Sequence, residues 1–163
     1  MSEAVALERW PVWLCLLAAL LLSIMPLPAL VEPFRPDWVA LTLIYWALAF
    51  PRVFGLLTAW VSGLLLDVAQ GTLLGQHALA LTVMIYFPLR FHLRLRVFPI
   101  WQLSATVMAL LALYQFILFW INGTAGVASN LMDYWGSVIT GALFWPPLML
   151  FFNGVRQQMT AAR

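Results

Sequence analysis

The residue in this sequence whose type and position most suggest a chemical role is Asp67. It is a single carboxylate in an otherwise apolar segment between Gly55 and Gly75. An ionisable side chain inside a membrane segment is costly, so it is a candidate functional residue by default. It belongs to a stripe with a period of four, whose other members are small: Gly55, Ala59, Gly63, Gly71 and Gly75. Membrane helices associate by close packing through small residues, so the stripe predicts a helix-packing groove that contains a carboxylate.

Three roles are open for Asp67. About 22 Å of helical rise separates it from the start of its segment near Val53, which places it towards one end of a span. It could accept hydrogen bonds from loop backbone, clamp a helix of this chain or of a partner, or take part in a proton relay. A relay needs a second ionisable group at depth, and His77, close to a helix end, is the one candidate in the sequence.

Other reactive combinations are absent from the sequence. Every basic residue is an arginine, which excludes a phosphate-loop lysine and a Schiff-base lysine. Cys15 is the only cysteine, so an internal disulfide is excluded. His77 and His92 are too few and too far apart for a metal site, and the sequence contains no nucleophile–base pair or paired carboxylates. We therefore expect no catalytic residue, no metal and no cofactor, and the chain is predicted not to be an enzyme.

Composition indicates the environment of the chain. It is 64% hydrophobic and 9% charged, whereas a soluble domain carries about 25% charged residues. The chain is therefore predicted to be an all-α integral membrane protein with a single membrane domain over residues 1–163. At roughly 20 to 27 residues per span and turn, it holds about six transmembrane helices. The predicted spans are approximately 11–30, 38–51, 53–71, 77–90, 98–121 and 134–153.

Proline and glycine mark the ends and irregularities of these spans. The first span is predicted to end at Pro26 and Pro28, and the last to kink at Pro146–Pro147. Gly71 and Gly75 favour a break, a turn or a re-entrant bend.

Arginine distribution predicts the orientation. With six spans, seven arginines fall on the side of the two termini: Arg9, Arg52, Arg90, Arg94, Arg96, Arg156 and Arg163. Arginine marks the cytoplasmic face, so both termini are predicted to be cytoplasmic. Arg90, Arg94 and Arg96 form a cytoplasmic basic segment that we expect to contact anionic lipid or a cytoplasmic partner, and not nucleic acid. The periplasmic loop should be stiff and extended, and its candidate residues are Arg35, Pro36 and Trp38.

Most tryptophans lie near predicted span ends and are expected to form an interfacial belt: Trp10, Trp38, Trp60, Trp101, Trp120, Trp135 and Trp145. The alternative is a stacked ligand cage made by Trp38, Tyr45, Trp46 and Trp60.

Three stretches carry a resemblance to a known family: FRPDWVALTLIYWALAFP at 34–51, GLLLDVAQGTLLGQHALAL at 63–81 and ALFWPPLMLFFNGVRQQ at 142–158. They resemble MreD, the rod shape-determining membrane protein of bacteria, and the resemblance covers essentially the whole chain. It implies a non-enzymatic, multi-pass component of the inner membrane that serves lateral wall elongation. It also implies association with MreC, a protein with one membrane helix, and beyond it with MreB, RodA and the elongation transpeptidase. The implied fold is similar to the S components of vitamin transporters.

Two functional hypotheses follow. In the first, the third span and its neighbours bind the MreC helix, and Gly63 and Gly71 allow close approach. In the second, the chain is a ligand-binding membrane module, similar to transporter S components, with an outward pocket. That pocket would be lined by Trp38, Tyr45, Trp46, Asp67 and Gln70.

Overall fold

The computed structural model describes residues 10–127 and 131–161, and those residues form an all-helical structure. Its six α-helices are α1 Trp10–Ile24, α2 Trp38–Ala49, α3 Leu56–Gln70, α4 Gln76–Leu95, α5 Ile100–Thr124 and α6 Leu131–Ala161. A short 3-10 helix, Glu32–Phe34, lies between α1 and α2. Three segments are long and apolar enough to cross a membrane: Gln76–Leu95, Ile100–Thr124 and Tyr134–Met159. Helices α1 and α3 are shorter apolar helices.

The shortest α-helix is the centre of the structure. Ten of the 12 residues of α2 are buried, and α1, α4, α5 and α6 all pack on it. Because α2 is apolar on every side, it has no solvent-facing surface of its own, as is typical of a buried helix. The longer helices around it therefore supply its environment.

Helices α3 and α4 form a hairpin. The residue after α3, Gly71, has a φ of 65°, and the residue before α4, Gly75, has a φ of 97°. Both values lie in the left-handed region that glycine adopts at little cost. The break predicted at these glycines is thus a five-residue turn, 71–75, between helices that pack along one another.

Several helix ends differ from the predicted spans. Helix α1 ends at Ile24, just before Pro26 as the prolines predict, because Pro26 disfavours a helical conformation for the residue before it. It is therefore shorter than the predicted span, which extends to residue 30. Helix α4 continues to Leu95 instead of ending near residue 90, with non-helical backbone at Phe91 (φ −110°, ψ 15°). Helix α6 runs through both Pro146 and Pro147.

Contacts at both ends of α2 show that α2 and α5 run in opposite directions. At the start of α2, Asp37 contacts Gln115 in the later half of α5. At the other end of α2, Leu48 and Ala49 contact Arg96, between α4 and α5. Polar groups therefore gather at two opposite ends of the bundle, with Arg35 near the first and Arg96 at the second.

Candidate functional site: a turn cluster beside a polar cavity

The small-residue stripe of α3 packs against this chain's own α4. A Cβ atom placed on Gly63 would lie 2.2 Å from the Cα atom of Ala78, and Ala59 is fully buried. The expectation that Gly63 would let a partner helix approach is therefore wrong, because α4 already fills that space. At the ends of the stripe, Gly55 precedes α3, while Gly71 and Gly75 form the turn.

Asp67 organises that turn, and it does so from a buried position. Its Oδ1 atom accepts hydrogen bonds from the backbone N–H of His77 at 3.0 Å and from the Thr72 hydroxyl at 3.0 Å. Its Oδ2 atom accepts from the backbone N–H of Gly75 at 2.8 Å. We call Asp67, Thr72, Gly75 and His77 the turn cluster. A carboxylate with this many donors is satisfied without a partner protein.

His77 is the residue that sequence reasoning undervalued. Its Nδ1 atom lies 2.7 Å from Oδ1 of Asp67. Because a carboxylate only accepts hydrogen bonds, Nδ1 carries the proton, and in the neutral ring Nε2 is left as an acceptor. A ten-residue separation that includes two turn glycines is the signal that could have revealed this pair.

A polar cavity of about 270 Å³ lies next to the turn cluster. Its walls come from the end of α1, the loop before α2, the start of α2, both sides of the α3–α4 turn, α5 and α6. Its polar lining residues are Ser23, Arg35, Asp37, Gln70, Thr72, Gln76, His77, Tyr114, Gln115, Asn122 and Tyr134. Eleven polar side chains therefore converge on one cavity.

Arg35 occupies a wall of this cavity. Its Nη1 atom donates a hydrogen bond of 2.9 Å to the backbone oxygen of Ser23, near the end of α1. Its Nε and Nη2 atoms are buried and have no hydrogen-bond partner among the described residues. Of the other predicted loop residues, Pro36 is buried in the cavity wall, and Trp38 packs edge-on against Phe144, with ring centroids 5.7 Å apart.

Asp37, at the start of α2, faces the same cavity. Its Oδ2 atom accepts a hydrogen bond of 2.7 Å from Nε2 of Gln115, which also donates to the hydroxyl of Ser137 at 2.7 Å. Burial raises the pKa of Asp37 to about 6, although hydrogen bonds from Gln115 and Ser137 and the charge of Arg35 lower it. The cavity therefore places a carboxyl and a guanidinium in a poorly hydrated space.

The ligand pocket predicted from the sequence has the wrong lining. Of its five expected residues, only Gln70 faces the polar cavity. The Tyr45 hydroxyl donates to Oδ1 of Asn153 at 2.6 Å, and Trp46 is fully buried in the core. Asp67 is held by the turn cluster.

The basic segment divides into two parts. Arg90 and Arg94 are exposed, but the Arg96 guanidinium donates two hydrogen bonds of 2.7 Å to the backbone oxygens of Leu48 and Ala49. A cation at a helix C-terminus stabilises the helix, so Arg96 caps α2. Trp145, predicted to lie in the interfacial belt, is instead fully buried.

The sequence matches a family described as rod shape-determining protein MreD over residues 6–155. The chain belongs to the MreD family. A rod shape-determining protein MreD from Haemophilus influenzae (strain Rd) is 26% identical over 144 residues, which cover 86% of this chain and 87% of that protein. No solved structure matches this chain.

Membership confirms the resemblance seen in the sequence and gives the chain a role in determining rod shape. The family is one of shape-determining structural proteins, and together with the three long apolar helices it identifies a membrane protein. Among the described residues, no group of three His, Cys, Asp or Glu side chains is placed to hold a metal ion.

Proposed function

We propose that this MreD family member is a non-enzymatic scaffold of the bacterial inner membrane that binds the transmembrane helix of MreC. Through that contact it helps to organise lateral peptidoglycan synthesis. The family supports the shape-determining role, and a groove on the bundle surface supports the helix-binding step.

The groove lies over α2, between α1 and α6, and has a volume of about 360 Å³. We call it the α1–α6 groove; it is lined by Leu14, Cys15, Ala18, Ala19, Leu22, Trp38, Thr42, Leu148, Phe151 and Phe152. Four of these side chains are small: Cys15, Ala18, Ala19 and Thr42. Small residues let the backbone of a second helix approach closely, which is how helices associate in lipid.

Two other surfaces fit a partner helix less well. The stripe of α3 is occupied by α4 at Gly63. A second apolar groove, between α4 and α5, has a volume of about 440 Å³, but Phe87, Phe91 and Phe98 line it beside Arg94. Both grooves contain three aromatic side chains, but only Thr106 and Ala109 are small in the second groove, against four small side chains in the α1–α6 groove. The second groove therefore offers less room for the backbone of a partner helix.

The proposal also includes the topology of the chain and the other members of the complex. All six helices span the membrane in a bundle similar to transporter S components, and both termini are cytoplasmic. Arg90 and Arg94 then face anionic lipid. MreB, RodA and the elongation transpeptidase are further members of the complex, reached through or beside MreC.

Crosslinking from the native Cys15 tests the docking step, because this side chain lies in the groove. Single cysteines are introduced along the MreC membrane helix, and disulfide formation with the wild-type chain is compared with that of Cys15→Ala carrying Val68→Cys, an exposed position on α3. We expect crosslinks from Cys15 at positions repeating every three or four residues along one MreC face, and none from position 68.

Co-purification provides the second measurement. Ala18→Leu adds bulk in the groove and should weaken recovery of MreC several-fold, whereas Val68→Leu, which adds bulk on α3, should leave it unchanged. Equal recovery with both variants, or crosslinks from position 68 alone, would show that the helix binds elsewhere. Gly63→Leu is unsuitable for this purpose because it disturbs the packing of α3 on α4.

A further inference from the structure

We infer that the polar cavity is a binding site for an anionic oxygen group, a phosphate or a carboxylate, which is held by Arg35. This site is separate from the α1–α6 groove, and the inference does not depend on MreC binding.

The unpaired donors of Arg35 carry the inference. A guanidinium has five N–H donors arranged to match two oxygens of a phosphate or carboxylate. In this chain Nη1 is used by Ser23, while Nε and Nη2 are buried without a partner among the described residues. Buried donors of a charged group are costly when they remain unsatisfied. Nε and Nη2 form one edge of the guanidinium, which is an edge that binds two oxygens of one anion.

The remaining lining is compatible with such a ligand. The carboxamides of Gln70, Gln76 and Asn122 line the cavity. Gln70 donates to the backbone oxygen of Ser23 at 3.5 Å and Asn122 donates to the Tyr134 hydroxyl at 2.9 Å, and the second N–H of each amide is a further donor. Asp37 is the opposing charge, but its Oδ2 atom already accepts from Gln115. A ligand whose anionic group lies on Arg35 and whose hydroxyl or amine lies towards Asp37 satisfies both residues. The other titratable side chains that line the cavity are His77, Tyr114 and Tyr134.

The dimensions of the cavity restrict the ligand further. Its volume of about 270 Å³ is at the lower limit of ligand pockets, which span roughly 300 to 1,000 Å³. The cavity therefore accommodates a headgroup-sized molecule. Two sources supply this chemistry: the phosphate of a phospholipid headgroup, and a small soluble phosphate or carboxylate.

Binding can be measured on the full-length protein purified in dodecyl maltoside. The melting temperature is followed while inorganic phosphate, acetate, phosphatidylglycerol, phosphatidylethanolamine or uncharged diacylglycerol is added. We expect the phosphate-containing lipids or the soluble anions to raise the melting temperature of the wild type, and diacylglycerol to have no effect. A response to lipid alone identifies a headgroup as the source, and a response to the soluble anions identifies a free ligand.

Substitutions of single arginines test whether Arg35 is the residue that binds the anion. Arg35→Gln should weaken the apparent affinity on the order of 10-fold or more, because charge-assisted hydrogen bonds are lost. Arg52→Gln, at an exposed arginine that follows α2, is the matched control and should bind as the wild type does. Arg35→Lys keeps the charge without the planar fork, so its affinity should be intermediate. If Arg35→Gln does not fold, the anion binding of Arg35→Lys is compared with that of the control instead. Equal binding by the Arg35 and Arg52 variants, or no response of the wild type to any anion, would overturn the inference.

Discussion

At the scale of single residues, Asp67 shows how a carboxylate is accommodated in an apolar helix. Its two oxygens accept from Thr72, Gly75 and His77, all from the turn that follows α3 or the start of α4. The carboxylate replaces water as the acceptor for backbone N–H groups at the start of α4, which have no partner within that helix. The charge is thus part of the turn's structure, and its cost is offset by the bonds that it receives.

Replacing this carboxylate should therefore weaken the fold. We expect Asp67→Ala to destabilise the protein by about 3 kcal/mol or more, because removing one partner leaves the others buried and unsatisfied. Asp67→Asn should have a smaller effect, since one amide oxygen still accepts a hydrogen bond. Thermal unfolding in detergent measures both changes. Glu32→Ala, at an exposed residue of the short 3-10 helix, is the control and should change stability by no more than about 0.5 kcal/mol. Equal melting temperatures for Asp67→Ala and the control would contradict this account.

At the scale of helices, the contact between α3 and α4 depends on a missing side chain. Gly63 faces the backbone of α4, and an added Cβ atom would lie 2.2 Å from Ala78 Cα and 2.4 Å from Ala78 N. A backbone cannot rotate away as a flexible side chain can, so even a methyl group must separate the two helices.

A pair of glycine-to-alanine substitutions tests this contact. Gly63→Ala should destabilise the protein by at least about 2 kcal/mol through overpacking. Gly154→Ala, in α6, meets no atom within 4 Å and should be neutral or stabilising by about 0.5 to 1 kcal/mol, because alanine favours the helix. Melting temperatures in detergent give the comparison. A Gly63→Ala protein as stable as Gly154→Ala would mean that α3 and α4 pack less closely than described.

The sequence predicts where the helices lie along the chain better than it predicts which helices and side chains contact one another. Composition and the proline and glycine breaks predict six helical segments, and all six contain a helix in the described structure. Of the small-residue stripe, Gly63 and the buried Ala59 lie where helices pack closely, whereas Gly55, Gly71 and Gly75 lie outside α3 and an added Cβ atom there would meet no atom within 4 Å. A stripe is equally suited to an internal or an external helix. The pairing of Asp67 with His77 follows from the ten-residue separation across the turn glycines. The cavity around Arg35 depends on how distant segments meet, which no local pattern encodes. The same reason explains why the sequence predicts an interfacial Trp145 and allows Trp46 in a ligand cage, whereas both side chains are fully buried.

At the scale of the whole molecule, the short α2 needs explanation in a membrane protein. Its 12 residues span about 18 Å, whereas the hydrocarbon core is about 30 Å thick. A helix exposed to lipid would have to compensate for this difference. Because α1, α4, α5 and α6 pack around α2, its ends meet protein instead: Gln115 binds Asp37 at one end, and Arg96 caps the other. The side chains of the surrounding helices, and not lipid, thus form the environment of α2.

Accessibility of the two ends of α2 tests the proposed orientation of the molecule. In a Cys15→Ala background, Glu32→Cys and Arg52→Cys place one thiol on either side of α2, both at exposed positions. The arginine distribution favours a periplasmic residue 32 and a cytoplasmic residue 52. A membrane-impermeant maleimide should therefore label position 32 in intact spheroplasts and position 52 only after the membrane is disrupted. The reverse pattern would invert the orientation. Labelling of both positions from outside would show that α2 does not cross the membrane, since only this helix separates them.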